Sequence, residues 1–125
     1  NQTLRVEDFN DYGPNGLQVE GKKEIKKVGT AVSATYETIA AAIARGCDAL
    51  FVHHGLFLHK SPHPIVGVKR EKIALLLESE LSLLAYHLPL DAHPLYGNNW
   101  KAAKDLKLKI PKLACMKSTK ILLCL

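Results

Sequence analysis

Two short, unbroken apolar runs, Ala49-Leu50-Phe51-Val52 and Leu83-Leu84-Ala85-Tyr86, bracket a helical stripe of Ile73, Leu76, Leu77 and Leu81. A strand with one wet face alternates apolar and polar residues, whereas a strand buried on both faces reads as a continuous apolar run, the habit of parallel sheets. Parallel neighbours need a crossover long enough to hold a helix, and the stripe predicts that helix over about Lys69 to Glu80. Upstream, Val28-Gly29-Thr30-Ala31-Val32 closes a β-rich stretch that begins at Ile25 and predicts another strand. Between it and the first run, Ile39, Ala42 and Ile43 recur at the i, i+3, i+4 spacing of a buried helical face. Ser33 or Thr35 can cap that helix with its hydroxyl, Glu37 lies near the positive end of the dipole, and Gly46 suits the C-terminal turn. A third helix is expected from Asn98 or Asn99 to about Leu106, and the apolar Lys120 to Leu125 begins a further strand. Asn10 to Gly16 is turn-rich, and Leu17-Gln18-Val19 alternates as a short edge strand would. The order β-α-β-α-β-α predicts an α/β fold, a three-layer arrangement with a largely parallel sheet.

The chain's 125 residues suit a single domain spanning 1–125, and 47% apolar residues suffice for a core. Cys47, Cys115 and Cys124 form no CxxC pair and leave one thiol over in any disulfide scheme. That usage fits a reducing compartment. With no signal-like opening and no apolar run near the roughly 20 residues that span a bilayer, the expected location is cytoplasmic, away from membranes. The +5 charge gathers at Lys22, Lys23, Lys26 and Lys27, then at Lys101, Lys104, Lys107, Lys109 and Lys112. Nucleic-acid binders interleave such bases with aromatics for stacking. Here aromatics are 6% and lie elsewhere, so both groups read as solvated faces and nucleic acid is not the expected partner.

Polar residues of unusual type follow both apolar runs: His53-His54-Gly55 after the first, His87-Leu88-Pro89-Leu90-Asp91 after the second. Sites in open parallel sheets form at the carboxyl ends of strands, where the loops splay. Adjacent strand residues point to opposite faces, so His53 and His54 diverge unless the chain turns, and Gly55 tolerates the dihedrals a sharp turn needs. Two diverging imidazoles suit a pair of ions roughly 3.5–4 Å apart better than one, and Asp91 offers a carboxylate. Imidazole with hard oxygen favours zinc, iron, manganese or cobalt over a thiolate-bound structural zinc. Taken singly, a His-His pair at a strand end is more often incidental than ligating, and His87 and Asp91 are commoner as a capping pair or a satisfied buried histidine. Their joint placement on two strand ends makes them candidates. His59, His63 and His93 stand near prolines and read as loop residues.

The segments Asp11-Tyr12-Gly13-Pro14-Asn15-Gly16-Leu17-Gln18-Val19-Glu20-Gly21, Val52-His53-His54-Gly55-Leu56-Phe57, His87-Leu88-Pro89-Leu90-Asp91-Ala92-His93-Pro94 and Gly97-Asn98-Asn99 together resemble the GTP cyclohydrolase I type 2 homologues, in order and at matching spacing from about Asp11 to Leu106. The resemblance implies an α/β protein that assembles as a ring-shaped homohexamer with two divalent metal ions per subunit. It implies metal ligation by His53, His54 and Asp91, a supporting or proton-transferring (catalytic) role for His87, and structural support from Asn15-Gly16-Leu17-Gln18. Members also carry a later His-x-x-x-Glu motif that supplies further ligands, and this sequence contains none. The sequence opens on Asn1 rather than methionine, and the expectation is the N-terminal portion of a longer protein.

The activity implied is metal-assisted hydrolysis with a small-molecule substrate, in the family's name a purine nucleotide. His87, near an ordinary pKa of about 6.5, would shuttle a proton to the leaving atom. The alternative is a metal-binding oligomeric scaffold or regulator without turnover. An open coordination position separates the two, since structural sites are saturated and catalytic ones keep a place for water. The apolar Ile121-Leu122-Leu123-Cys124-Leu125 adds to the expectation of a homo-oligomer.

Overall fold

The computed structural model describes residues 2–58 and 64–107. The expected strand at Lys120 to Leu125, together with His59, His63, Lys109, Lys112, Cys115 and Cys124, lies outside the described residues. Among those described, a 3-10 turn at Val6–Asp8 precedes four strands and four helices: β1 Gly16–Val19, β2 Val28–Ser33, α1 Tyr36–Ala44, β3 Ala49–His54, α2 Gly67–Glu78, β4 Ser82–Ala85, α3 Leu88–Ala92 and α4 Asn98–Asp105. The sheet order is β1-β4-β3-β2. β2, β3 and β4 run parallel, in the register Val28↔Ala49↔Ser82, while β1 lies antiparallel on the edge against β4.

The core follows from that register. Leu50 and Val52 stand beside Leu83 and Ala85 on one sheet face, and Ile39 and Ala42 of α1 and Leu76 of α2 close over them. Ile39, Val52, Leu76, Leu81 and Leu83 are completely buried, each such side chain contributing about 1.5–3 kcal/mol relative to exposure. α1 and α2 pack on each other above this layer. The other sheet face differs: among the described residues, Leu17, Val28 and Val32 on it are 55%, 56% and 69% exposed.

Local chemistry sets the element ends. Thr35 is the cap of α1: its hydroxyl accepts from the Thr38 amide at 3.2 Å while the Thr38 hydroxyl accepts from the Thr35 amide at 3.0 Å. That reciprocal pair satisfies two otherwise unpaired donors, and such caps are worth about 1 kcal/mol. Ser33, the other cap expected, turns its hydroxyl to His54 instead. Gly46 takes φ 66° after α1, the left-handed conformation glycine adopts without strain. α4 begins at Asn98, but Gly97 caps it and no side chain contributes, because the Asn98 amide is committed to Asp91. α3, a single turn opened by Pro89, has no counterpart among the sequence expectations.

The first lysine group wraps an acid. Asp48 accepts from the Lys26 and Lys27 amides at 3.0 Å and meets the Lys22 ammonium at 3.2 Å, and these bonds, the Lys26 amide foremost, hold its carboxyl below the usual range. Lys101 pairs with Asp105 one turn along α4. Among the described residues no helix is long and apolar enough to cross a membrane.

Candidate metal centre

β3 and β4 are parallel neighbours, so their carboxyl ends open side by side. β3 carries its ladder through to His54, two residues beyond the expected strand end. His53 therefore leaves on the face of Phe51 and His54 on the face of Val52, yet both rings curl over the strand end, 4.7 Å between centroids. The turn needs no special dihedral at Gly55, which is not among the glycines of positive φ. Gly55 is required for space: a Cβ there would drive into the Gln18 carboxamide. The same crowding recurs at Gly13 against the Phe57 carbonyl and at Gly97 against the His93 carbonyl, so loops around the strand ends lie backbone to backbone.

His87 follows β4 and completes the group. Its ring lies 4.8 Å from that of His53 and 5.6 Å from that of His54. One ring nitrogen from each of the three histidines can be chosen so that all lie within 4.8 Å of one another. Each Nδ1 already has a partner: the Tyr86 carbonyl at 3.1 Å for His53, the Ser33 hydroxyl at 3.0 Å for His54 and the Asp11 carboxylate at 2.7 Å for His87. The nitrogens left for a ligand are the three Nε2 atoms. Burial beside the other two imidazoles depresses the His54 pKa, with Asp91 opposing, so this ring favours its neutral, ligating form.

Asp91, on α3, stands next to the cluster. Its Oδ2 is 3.4 Å from His53 Nε2, and its Oδ1 accepts from Asn98 Nδ2 at 2.9 Å. It is a partner of His53 and not the capping mate of His87. His93 lies apart, its Nδ1 accepting the Leu95 and Tyr96 amides at the end of α3, as a loop residue would.

Asp11 joins the site without having been a candidate in the sequence. Its side chain is 3% exposed and takes four hydrogen bonds: from the Tyr12 amide and His87 Nδ1 on one oxygen, from Asn15 Nδ2 and the Leu88 amide on the other. Burial pushes its pKa upward, but the bonds from Asn15, His87, Leu88 and Tyr12 together outweigh that, and the carboxyl sits below its ordinary range. Asn15 Oδ1 also accepts from the His87 amide at 2.7 Å, and Gln18 ties the Pro14 carbonyl to the Leu56 amide. The Asn15-Gly16-Leu17-Gln18 segment thus is structural support of a specific kind, fastening His87 and the His-His-Gly turn to the edge strand. An aspartate heading a turn-rich segment offered one available signal; its partner, 76 residues away, did not.

Known proteins share this sequence and this arrangement of strands and helices. The profile of the Duf34/NIF3 (NGG1p interacting factor 3) family matches residues 1–122. A GTP cyclohydrolase 1 type 2 homolog from Chlamydia muridarum is 52% identical over 107 residues, covering 85% of this chain and 43% of that protein. Its counterpart from Yersinia pestis is 46% identical over 110 residues, covering 88% and 44%. The crystal structure of TTHA1606 from Thermus thermophilus superposes with a TM-score of 0.79 at 43% identity, covering 84% of this chain and 43% of that one. HcgD from Methanocaldococcus jannaschii, in its reduced form, gives 0.77 at 31% identity, covering 89% and 45%. The chain spans less than half the length of these relatives.

Proposed function

Because this chain belongs to the Duf34/NIF3 family and gathers three imidazoles and a carboxylate at its strand ends, we propose that it works as part of a divalent-metal-dependent hydrolase with two ions per subunit. The observation that carries the reading is the His53, His54 and His87 cluster, with every Nδ1 engaged outward. Neutral imidazole with carboxylate fits zinc, iron or manganese. A bound divalent ion supplies Lewis acidity, which makes water a competent nucleophile near neutral pH. The chain's own residues divide the work. His53 and His54 offer nitrogen, Asp91 offers charge, and His87 manages a proton or a further bond at Nε2. The relatives' names point to GTP, so the substrate proposed is a purine nucleotide opened at its imidazole carbon. A reducing, cytoplasmic setting belongs to the same reading, supported by Cys47, half-buried and without a disulfide among the described residues.

Asp91→Ala in the full-length protein is the direct test. Asp91 is a loop-proximal residue on a single helical turn, so the fold should persist while the ratio of metal to protein falls at least tenfold at limiting metal, the lower end of what even an outer partner contributes. An unchanged ratio in folded protein removes Asp91 from the ligand set. In parallel, GTP incubated with zinc- or manganese-loaded wild type should be consumed, and chelation should stop it. Metal binding with GTP left intact favours the scaffold reading instead.

Assembly into a homo-oligomer, a hexamer by the same reading, draws support from the exposed Leu17, Val28 and Val32. Light scattering on the full-length protein at micromolar concentration should return a multiple of the subunit mass, six for the hexamer. A stable monomer rules the assembly out.

A further inference from the structure

We propose that Asp11 is a positioning residue that locks His87 as its Nδ1–H tautomer, so that Nε2 enters the cluster as a lone-pair donor to a divalent cation. The inference deepens the metal-centre reading above and rests on it for the identity of the ligand, though not for the tautomer.

Counting donors around the carboxylate fixes the tautomer. Asp11 Oδ1 is 2.6 Å from the Tyr12 amide and 2.7 Å from His87 Nδ1; Oδ2 is 2.8 Å from Asn15 Nδ2 and 2.9 Å from the Leu88 amide. Two of these are backbone N–H groups and can only donate. Asn15 is fixed as well, because its Oδ1 accepts the His87 amide at 2.7 Å, which turns its NH₂ toward Asp11. An ionised carboxylate has no proton to give, so the fourth contact closes only if His87 Nδ1 is the donor. A neutral His87 then has its lone pair at Nε2 and no proton there to hand to a leaving atom.

Asp11 also distinguishes His87 from its neighbours. His53 leans on a carbonyl and His54 on a hydroxyl, whereas His87 leans on an anion that is almost fully enclosed. A carboxylate behind an imidazole orients the ring and raises the basicity of the far nitrogen, the arrangement found behind many metal-ligating histidines. The backbone and side chain of His87 are held by Asn15 and Asp11 from one turn, so the ring cannot rotate without opening that turn.

The test begins with wild type. In metal-free full-length protein, nitrogen-15 correlation spectra of the histidine rings should show His87 with a pyrrole-type Nδ1 and a pyridine-type Nε2 under conditions where it is neutral. The reverse pattern overturns the inference without any variant. Asp11→Asn then places an NH₂ against a backbone donor whichever way the amide turns. In folded Asp11→Asn, the Nδ1–H preference should be lost and the affinity for Co²⁺ should fall about 10–100-fold, with thermal unfolding followed alongside. Unchanged Co²⁺ affinity in a folded variant overturns the positioning role, and if the variant does not fold, the wild-type spectrum decides. Should wild type bind no Co²⁺, the metal-centre reading fails while the tautomer result stands or falls by itself.

Discussion

Full-length protein carrying His54→Ala is expected to lose Zn²⁺ affinity by at least the roughly 10–100-fold typical of an outer-shell loss, with its fold retained. His54 is exposed, and its ring is hydrogen-bonded only to the Ser33 hydroxyl among the described residues, so truncation removes the proposed ligand atom without opening the core. Titration calorimetry with Zn²⁺ reads the change, and an unaltered affinity would remove His54 from the centre. The same variant carries a pH signature. Burial, aided by His53 and His87, lowers the folded pKa of His54, so the unfolded chain binds its proton more readily. Its contribution to metal-free stability is therefore complete above the unfolded value of about 6.5 and is lost as pH falls through the folded value. Denaturation of metal-free wild type should weaken with acid in that window, and His54→Ala should flatten the slope. Identical slopes would show that the ring is not desolvated as described.

The largest effect on stability should come from Leu83→Ala. Leu83 is wholly buried on β4 and sits between Leu50 of β3 and the edge strand β1. Removing its isopropyl group from so enclosed a place costs the lost transfer energy plus a cavity, about 2–5 kcal/mol for Leu→Ala. Urea denaturation followed by far-UV circular dichroism should show the midpoint falling with an unchanged slope. A loss below about 1 kcal/mol would mean that the sheet collapses around the gap, well short of the usual cavity cost, and that the packing is looser than the register implies.

Much of the fold is legible in the sequence because inner strands write themselves as unbroken apolar runs. Ala49 to Val52 and Leu83 to Tyr86 read as inner strands, and the inner strands are Ala49–His54 and Ser82–Ala85, with Tyr86 just past the second. The helix over Tyr36–Ala44 was readable from Ile39, Ala42 and its Thr35 cap. His53 and His54 declared themselves by standing at a strand end. What escaped was whatever depends on distant pairing. α3 has too few residues for periodicity to register, so Asp91 read as a loop ligand. Asn98 looked like a cap because asparagine favours that position, but a carboxylate seven residues earlier competes for its amide. Gly55 suggested a dihedral need and instead answers a steric one imposed by Gln18. Asp11 showed only its place in a turn-rich segment, since nothing local marks a carboxylate that serves a histidine 76 residues away.

Among the described residues β1 is the edge of the sheet, paired on one side only, and the turn that holds His87 runs directly into it. Edge elements open at lower free energy than the strands inside them. Each excursion that frees β1 therefore also frees the ring of His87, and closing the edge restores it. With the proposed cation bound at Nε2 of His87, its affinity and the lifetime of the edge would be one linked equilibrium, and amide exchange along Gly16–Val19 would slow. Sequence drift in that strand would be felt as weaker binding long before it was felt as unfolding.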